Sequence, residues 1–266
     1  MLEQKYIPIL RTALAELSAL QALSFDAKKK IVPYLFYRDT KQRTSLDKFC
    51  EVLTEYEKFF LEFPDHPNNS HYRTINEQFL EFKRLIHNGY RVIPVISNSQ
   101  KIKRRQLVQQ GLCLLNFADN LGIRVRIDHQ QDIYIAAAIY DSSPNPDKLI
   151  IFVDFSRLRS KDVVLEKFPR YLKVFEEATV VFTGTVWGKD QREFEKGEIL
   201  SIDNHVYLAW TELKENIPYS DTLTDNLESV IPADEIFPRK IIPYFKWTSL
   251  DGTNFLVIRA TKMFPL

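Results

Sequence analysis

Short apolar segments alternate with amphipathic segments along the first 185 residues of the chain. Six apolar segments have the character of buried strands. They comprise residues 6–10, 31–37, 91–97, 123–128, 149–155 and 179–183. Between them, apolar residues recur at spacings of three and four, as in an amphipathic helix. Strands that alternate with helices in this way predict a largely parallel sheet with right-handed crossovers.

The predicted fold is therefore α/β, and a (β/α) barrel is favoured because about 250 residues is the usual length of such a barrel. The weak point is the region 38–90, where two consecutive helices are predicted with no strand between them. The first of these helices is expected to begin at a cap on Ser45 and to extend through Phe63. We therefore expect a (β/α) barrel-like fold in a single domain over residues 1–266, with an irregular or incomplete barrel, or an open doubly wound sheet, as the alternatives.

Several helix boundaries and one hairpin are indicated by local motifs. Thr74 and Glu77 have the spacing of a capping box, and Gly89 is predicted to end the helix that they begin. Gly122 is predicted to end the helix of the following crossover. Residues 240–262 contain two strand-like segments on either side of an Asp-Gly turn, which predicts a C-terminal β-hairpin.

Composition excludes several classes of protein. The 36 basic and 35 acidic side chains leave a net charge of +1, which argues against a generally basic nucleic-acid coat protein. None of the 7 glycines lies in a phosphate-binding loop motif. The longest uncharged run, which includes residues 107–118, is shorter than the roughly 20 residues of a membrane span, so we expect no membrane contact. Residues 1–10 lack a basic region followed by an apolar one, so we predict no signal peptide and expect a cytoplasmic protein. Cys50 and Cys113 are both expected to be buried as free thiols.

A series of short motifs, in order along the chain, resembles a known family. The motifs are YIPILR at 6–11, IVP at 31–33, RVIPVI at 91–96, IPYSD at 217–221, and the hairpin residues 245–248 and 255–259. They resemble the Beta family proteins of phage satellites and bacterial defence islands. Arg11, Ser220 and Thr222 stand where Lys, Gly and Tyr are commoner in that family, which indicates a divergent member.

The resemblance implies a role in phage conflict, in which a Beta protein counteracts the killing effect of a partner product. It implies no reaction, and we expect no cofactor. We therefore expect a regulatory protein in phage defence that binds a protein partner encoded nearby. Nucleic acid is a possible partner that the sequence does not favour. Whether the protein is an enzyme stays open, and a barrel hydrolase or phosphodiesterase is the alternative to the favoured non-enzymatic role.

Candidate site residues follow from the barrel prediction, because the carboxyl ends of parallel strands meet at one face. The candidate catalytic residues are Asp128, His129, Asp154 and Asp221. The candidate binding residues are Arg11, Glu16, Arg38, Asn98 and Tyr219. Several acids near one guanidinium are suited to acid-base hydrolysis, in which Arg11 would hold a phosphate group. The competing explanation for these polar residues is ordinary capping of the strand ends. No set of three or four converging ligands indicates a metal site.

A second candidate is a basic patch at the start of a predicted helix. It consists of Lys101, Lys103, Arg104 and Arg105. The helix dipole favours acids at this end, so a cluster of cations there needs compensation. A solvated or salt-bridged basic surface is one explanation, and binding of phosphate, nucleic acid or an acidic partner is the other.

Overall fold

The structure is a computed structural model. It describes residues 6–12, 14–37, 46–64, 74–98, 102–127, 129–155, 161–184, 199–203, 205–213, 217–222, 244–248 and 254–259. The strands are β1 (Tyr6–Arg11), β2 (Tyr34–Phe36), β3 (Phe59–Glu62), β4 (Val92–Ser97), β5 (Leu121–Arg126), β6 (Leu149–Asp154), β7 (Thr179–Gly184), β8 (Ile199–Asp203), β9 (Tyr219–Thr222), β10 (Tyr244–Thr248) and β11 (Asn254–Arg259). The helices are α1 (Leu14–Ala22), α2 (Phe25–Lys30), α3 (Leu46–Leu53), α4 (Ile75–His87), α5 (Arg104–Leu114), α6 (Gln130–Ser142), α7 (Lys161–Val174) and α8 (His205–Glu212).

Eight parallel strands close into a barrel in the order β1, β2, β3, β4, β5, β6, β7, β9. Closure is made by β9, which pairs with β7 on one side and with β1 on the other. The prediction of a (β/α) barrel is thus confirmed. The barrel is closed, so the alternatives of an incomplete barrel and of an open doubly wound sheet are both wrong.

The predicted hairpin near the C terminus is also confirmed. Strands β10 and β11 pair in antiparallel fashion, and Trp247 lies opposite Leu256. Strand β8, which precedes the last barrel strand in the chain, adds to the other edge of β11. The hairpin therefore belongs to a three-stranded antiparallel sheet that is separate from the barrel sheet.

The predicted long helix ending at Phe63 is wrong. Helix α3 ends at Leu53, and the segment after it forms β3, which pairs with β2 and β4. Tyr56, Phe60 and Phe63 recur at intervals of four and three, so their spacing imitates a helical stripe. The segment is a strand buried on both faces, because Phe60 packs inside the barrel and Leu61 packs on its outer surface.

Two glycines were expected to end helices, and the structure bears this out for Gly89 but not for Gly122. Thr74 and Glu77 form the predicted capping box, and Gly89 follows α4 with φ +82°, the left-handed conformation that favours glycine. Gly122 does not end a helix, because it lies within β5. A Cβ atom there would stand 2.8 Å from Cγ2 of Val95, so the glycine is required by close packing inside the barrel.

The barrel interior is filled by apolar side chains, as expected for a packed core rather than a pore. The interior cluster consists of Ile7, Ile9, Val32, Tyr34, Phe36, Phe60, Ile93, Val95, Ile150, Phe152 and Val181. Residues at intervening positions, such as Leu10 and Val153, belong to the outer cluster beneath the helices. This alternation is the two-residue period of a strand, and it tells which face each strand residue occupies.

The prediction that both cysteines are buried is confirmed for Cys50. It is wrong for Cys113, which is exposed. Cys113 lies on α5 beside the buried Leu114, so a shift of one helical position separates a core residue from a surface residue. Burial raises the pKa of the Cys50 thiol from its ordinary value to about 12. The thiolate is the reactive form, so the two cysteines are expected to differ in reactivity.

At pH 8 we expect an aromatic disulfide reagent to modify one thiol in the native protein and both in urea. The Cys113→Ser variant should show no fast-reacting thiol.

Because the unfolded chain ionises Cys50 at about pH 8.5, the stability gained from the raised pKa is complete below that pH. It is lost as the pH rises towards 12. Urea unfolding at pH 8 and pH 10.5 measures this loss of stability. In the reactivity experiment, two fast-reacting thiols in the native protein would contradict the assignment of Cys50 as buried.

Candidate functional site

Inward-facing side chains near the carboxyl ends of the barrel strands form a layer above the apolar interior. We call this layer the mouth. It consists of Arg11, Phe36, Glu62, Ser97, Arg124, Asp154 and Thr183. Each of the first seven barrel strands contributes one residue, and six of the seven are polar. The inward direction of these side chains follows from the alternation of side chains along a strand. The residues two positions earlier in four of the strands lie in the interior cluster: Ile9, Phe60, Phe152 and Val181.

An ion cluster lies at the centre of the mouth. The Arg124 guanidinium donates from Nε to Oε1 of Glu62 at 3.2 Å and from Nη1 to Oδ2 of Asp154 at 3.1 Å, and its Nη2 is ion-paired with the same Glu62 oxygen at 3.1 Å. The three side chains are 5%, 0% and 6% exposed, respectively. The guanidinium group of Arg124 also lies over the Phe36 ring, and its Cζ atom is 5.3 Å from the ring centroid. Arg124 therefore joins β5 to β3 and β6 across the barrel.

Tyr34 completes the hydrogen bonding of Glu62. Its hydroxyl donates to Oε2 of Glu62 at 2.5 Å, so both carboxylate oxygens of Glu62 are engaged. Burial, and then the charge of Glu62, hold the pKa of Tyr34 well above its ordinary value. The phenol consequently stays protonated and acts as a donor throughout the physiological pH range.

Two buried hydroxyl groups have no hydrogen-bond partner: that of Thr183 in the mouth, and that of Ser220, which pairs in register with Ile7 of the apolar interior. Thr183 and Ser220 are both fully buried, and neither Oγ1 of Thr183 nor Oγ of Ser220 is hydrogen-bonded in the structure. The two residues lie opposite each other in the pairing of β7 with β9, and Thr183 also lies opposite Asp154 of β6. Buried polar groups are normally hydrogen-bonded, so the two hydroxyls are exceptions to that rule.

Exposed cations flank the mouth. Lys103 occupies the N-cap position of α5, and Arg104 and Arg105 are the first two residues of the helix. We call these three residues the basic rim, because a helix of a parallel barrel begins on the side where the preceding strand ends. All three are exposed, and none forms an ion pair with a residue in the described ranges. The first turn of α5 contains no acid that could neutralise them.

The structure brings some of the predicted site residues to this face. Arg11 and Asp154 both belong to the mouth. Asn98 follows β4, where its carbonyl oxygen accepts from Nη2 of Arg126 at 3.4 Å. His129 is half-buried as the residue that precedes α6. Their proposed roles stay predictions.

Other predicted residues lie elsewhere. Glu16 is half-buried on α1. Tyr219 faces outward and packs on the ring of Trp210, with the centroids 5.1 Å apart. Asp221 lies in β9, and only its backbone is described. Asp128, Arg38 and Lys101 lie outside the described residues.

The sequence patterns did not indicate four residues of this region as site residues: Tyr34, Phe36, Glu62 and Arg124. Glu62 was hidden by the wrong helix assignment. Arg124 stands between two apolar residues of a predicted strand, and a charge in that setting is an indication of an inward-facing ion pair. Attention to residues within the strands, rather than just after them, would have found these positions.

No helix among the described residues is long and apolar enough to cross a membrane. No group of three or more His, Cys, Asp or Glu side chains in that part of the chain is arranged to hold a metal ion.

The closed parallel barrel, with a polar mouth above an apolar interior, defines the class: a (β/α) barrel protein with its candidate site at the carboxyl ends of the strands. A sequence model of the Beta protein family matches residues 6–225, which include all eight barrel strands. The chain belongs to the Beta protein family, as the sequence motifs predict. A curated relative is Protein beta of Enterobacteria phage P4, which is 30% identical over 165 residues. The match covers 58% of this chain and 45% of that relative, so it spans less than half of the relative's length.

Proposed function

We propose that this protein is a phage-associated regulatory protein that binds an acidic protein partner at the mouth side of the barrel. The observation that carries the proposal is the basic rim of Lys103, Arg104 and Arg105. Membership of a family that includes a phage protein supports the phage-associated role. In this role the protein restrains a toxic product encoded nearby, in line with the family resemblance.

The basic rim is energetically unfavourable for the isolated barrel. Each cation in the first turn of α5 opposes the helix dipole at a cost of a few tenths of a kcal/mol, and no acid in the described ranges offsets it. Three like charges also repel one another. An acidic surface on a partner would relieve both effects and would accelerate association through long-range attraction.

A protein partner is favoured over nucleic acid because the net charge of the chain is only +1. Nucleic-acid binding depends on neutralising many phosphates at once, whereas the rim supplies three cations in one turn of helix. A compact acidic patch on a protein matches this size. Nucleic acid is therefore kept as an outcome of the test.

Hydrolysis at the mouth is the second candidate, and Asp154 is the residue that would carry it. The geometry offers it less support than binding. Asp154 is ion-paired with Arg124, and both oxygens of Glu62 accept hydrogen bonds, so neither carboxylate stands ready as a base. The same assay can separate the two functions through an Asp154→Asn variant.

We expect reversal of the basic rim (Lys103→Glu, Arg104→Glu, Arg105→Glu) to abolish rescue of bacteria from a toxic neighbouring gene product. Acids at a helix N-terminus are favoured by the dipole, so the variant should melt at or above the wild-type temperature. The assay is colony survival on co-expression with each neighbouring gene. The control reverses three exposed lysines on other helices, Lys30, Lys83 and Lys173, with the same change in net charge.

Full rescue by the rim variant would contradict the proposal. Loss of rescue in both the rim variant and the control would assign the effect to net charge rather than to the rim. Rescue that survives rim reversal but fails in a folded Asp154→Asn variant would favour hydrolysis. Salt-sensitive retardation of DNA or RNA that disappears on rim reversal would replace the protein partner with nucleic acid.

A further inference from the structure

We propose that a groove between α5 and α6 binds an acidic, amphipathic helix of the protein partner, with Tyr134 as the anchoring residue. This inference deepens the proposed function and rests on it, because the basic rim lies at one end of the groove. One wall consists of Val108 and Leu112 of α5, and the other of Tyr134 and Ala138 of α6. We call these four residues the α5–α6 groove.

The floor of the groove is a close contact between α5 and α6. Gly111 of α5 is buried, and an added Cβ atom there would stand 2.8 Å from Cδ1 of Ile139 on α6. Val108 precedes Gly111 by three residues, so the two lie on the same side of α5. Leu112 follows Val108 by four residues and continues that wall. Both wall residues are half-buried, so this side of α5 presents apolar surface to an occupant.

The opposite wall is identified by what the far side of α6 contacts. The ring of Tyr140 packs on Phe175, just beyond the end of α7, with the centroids 5.5 Å apart. Ala138 lies two positions before Tyr140, about 200° around the helix, so it is on the side towards α5. Tyr134 precedes Ala138 by four residues and is 54% exposed. A small residue beside an exposed aromatic ring leaves space for another helix to approach.

Tyr134 and the basic rim lie at nearly the same height on neighbouring helices. Both helices begin on the mouth side of the barrel and run parallel to each other. Tyr134 precedes Ile139 by five residues, about 7.5 Å along the helix axis, and Arg105 precedes Gly111 by six residues, about 9 Å. Because Gly111 and Ile139 lie against each other, the aromatic ring and the cations belong to one continuous surface.

The charges at this end of the groove select an acidic occupant. The first two turns of α5 and of α6 contain one acid, Asp132. Its side chain is fully buried and accepts a hydrogen bond from Nε of Arg126 at 2.8 Å, so it does not neutralise the rim. Carboxylates of an occupant would therefore meet the rim cations without competition from either helix.

A helix fits this surface better than an extended segment does. The barrel sheet is closed, so it offers no free strand edge to the backbone of an extended segment. A helix satisfies its own backbone hydrogen bonds, and apolar residues at spacings of three and four would fill the groove. Exposed tyrosines are among the residues that contribute most to interfaces. Gln130 donates to the Tyr134 hydroxyl at 2.8 Å, which holds the ring in place before binding.

Fluorescence anisotropy with a labelled peptide tests the inference. The probe is a peptide of about 18 residues, or five helical turns, with leucine at spacings of three and four and glutamate elsewhere. We expect it to bind, and we expect about tenfold weaker binding of a scrambled peptide and of one with lysine in place of glutamate. Tyr134→Ala and Ala138→Gln should each weaken the acidic probe about tenfold or more. The matched controls, Phe25→Ala and Ala19→Gln, change exposed residues on other helices and should leave its affinity unchanged.

Unfolding cannot explain a loss of binding by Tyr134→Ala, because the ring is exposed and the variant should melt at the wild-type temperature. Absence of binding by the acidic probe would overturn the inference. Equal binding of the scrambled peptide, or undiminished binding by the Tyr134 and Ala138 variants, would also overturn it. So would sedimentation of the protein alone as a dimer that Ala138→Gln dissociates, because a second copy would then occupy the groove.

The rescue assay separates this inference from the proposed function. We expect Tyr134→Ala to fail to rescue the bacteria and Phe25→Ala to succeed. Rescue that is lost on rim reversal but kept by Tyr134→Ala would overturn the groove and leave the proposed function standing. Rescue that is kept by both variants would overturn both proposals.

Discussion

Replacement of Arg124 by Met is expected to lower the free energy of unfolding by about 3–5 kcal/mol, because it leaves buried carboxylates without their cation. Glu62 and Asp154 are 0% and 6% exposed, and both bond to Arg124. Methionine fills much of the same volume, so the loss measures charge rather than a cavity. Urea denaturation at pH 7 measures it.

The matched control is Arg170→Met. Arg170 pairs with Glu166 at 2.8 Å, but both side chains are largely exposed, and exposed pairs contribute about 0–1 kcal/mol. If the Arg124 variant lost no more stability than the control, the ion cluster would not be the central support of the mouth. A companion triple variant, with Glu62→Gln and Asp154→Asn added, should recover part of the loss, since no carboxylate is then left buried and unpaired.

Phe152→Ala is expected to destabilise the protein by about 3–5 kcal/mol, the usual cost of removing a buried phenyl ring from a core. Phe152 is fully buried in the barrel, directly below the mouth. Its ring meets the rings of Tyr34 and Phe60 edge-on, each with the centroid 4.9 Å away. Loss of the ring removes the support beneath Tyr34 and thereby loosens the Tyr34 hydrogen bond to Glu62.

Phe25→Ala serves as the control for Phe152, because Phe25 is 69% exposed and its truncation should change stability by no more than about 0.5 kcal/mol. Thermal unfolding followed by near-ultraviolet circular dichroism measures both stability and the loss of aromatic packing. A Phe152 variant as stable as the Phe25 variant would mean that the interior cluster does not support the barrel.

Part of the candidate site was accessible from the sequence, and the limits have physical causes. Arg11 and Asp154 were found because polar residues that end apolar strands must lie at the carboxyl face of a parallel barrel. Glu62 was missed because the aromatic residues around it repeat at helical spacing.

The sequence by itself determined the alternation of strands and helices, the barrel class, the capping box at Thr74, the C-terminal hairpin and the family. These features depend on local periodicity, local hydrogen bonding or motif order, all of which are written along the chain. Only the tertiary structure decided that β9 closes the barrel. It alone showed that Arg124 pairs with two acids and that the hydroxyls of Thr183 and Ser220 lie side by side without a partner. Glu62 and Arg124 are 62 positions apart, and contacts of that kind are set by strand order and register, which no local pattern encodes.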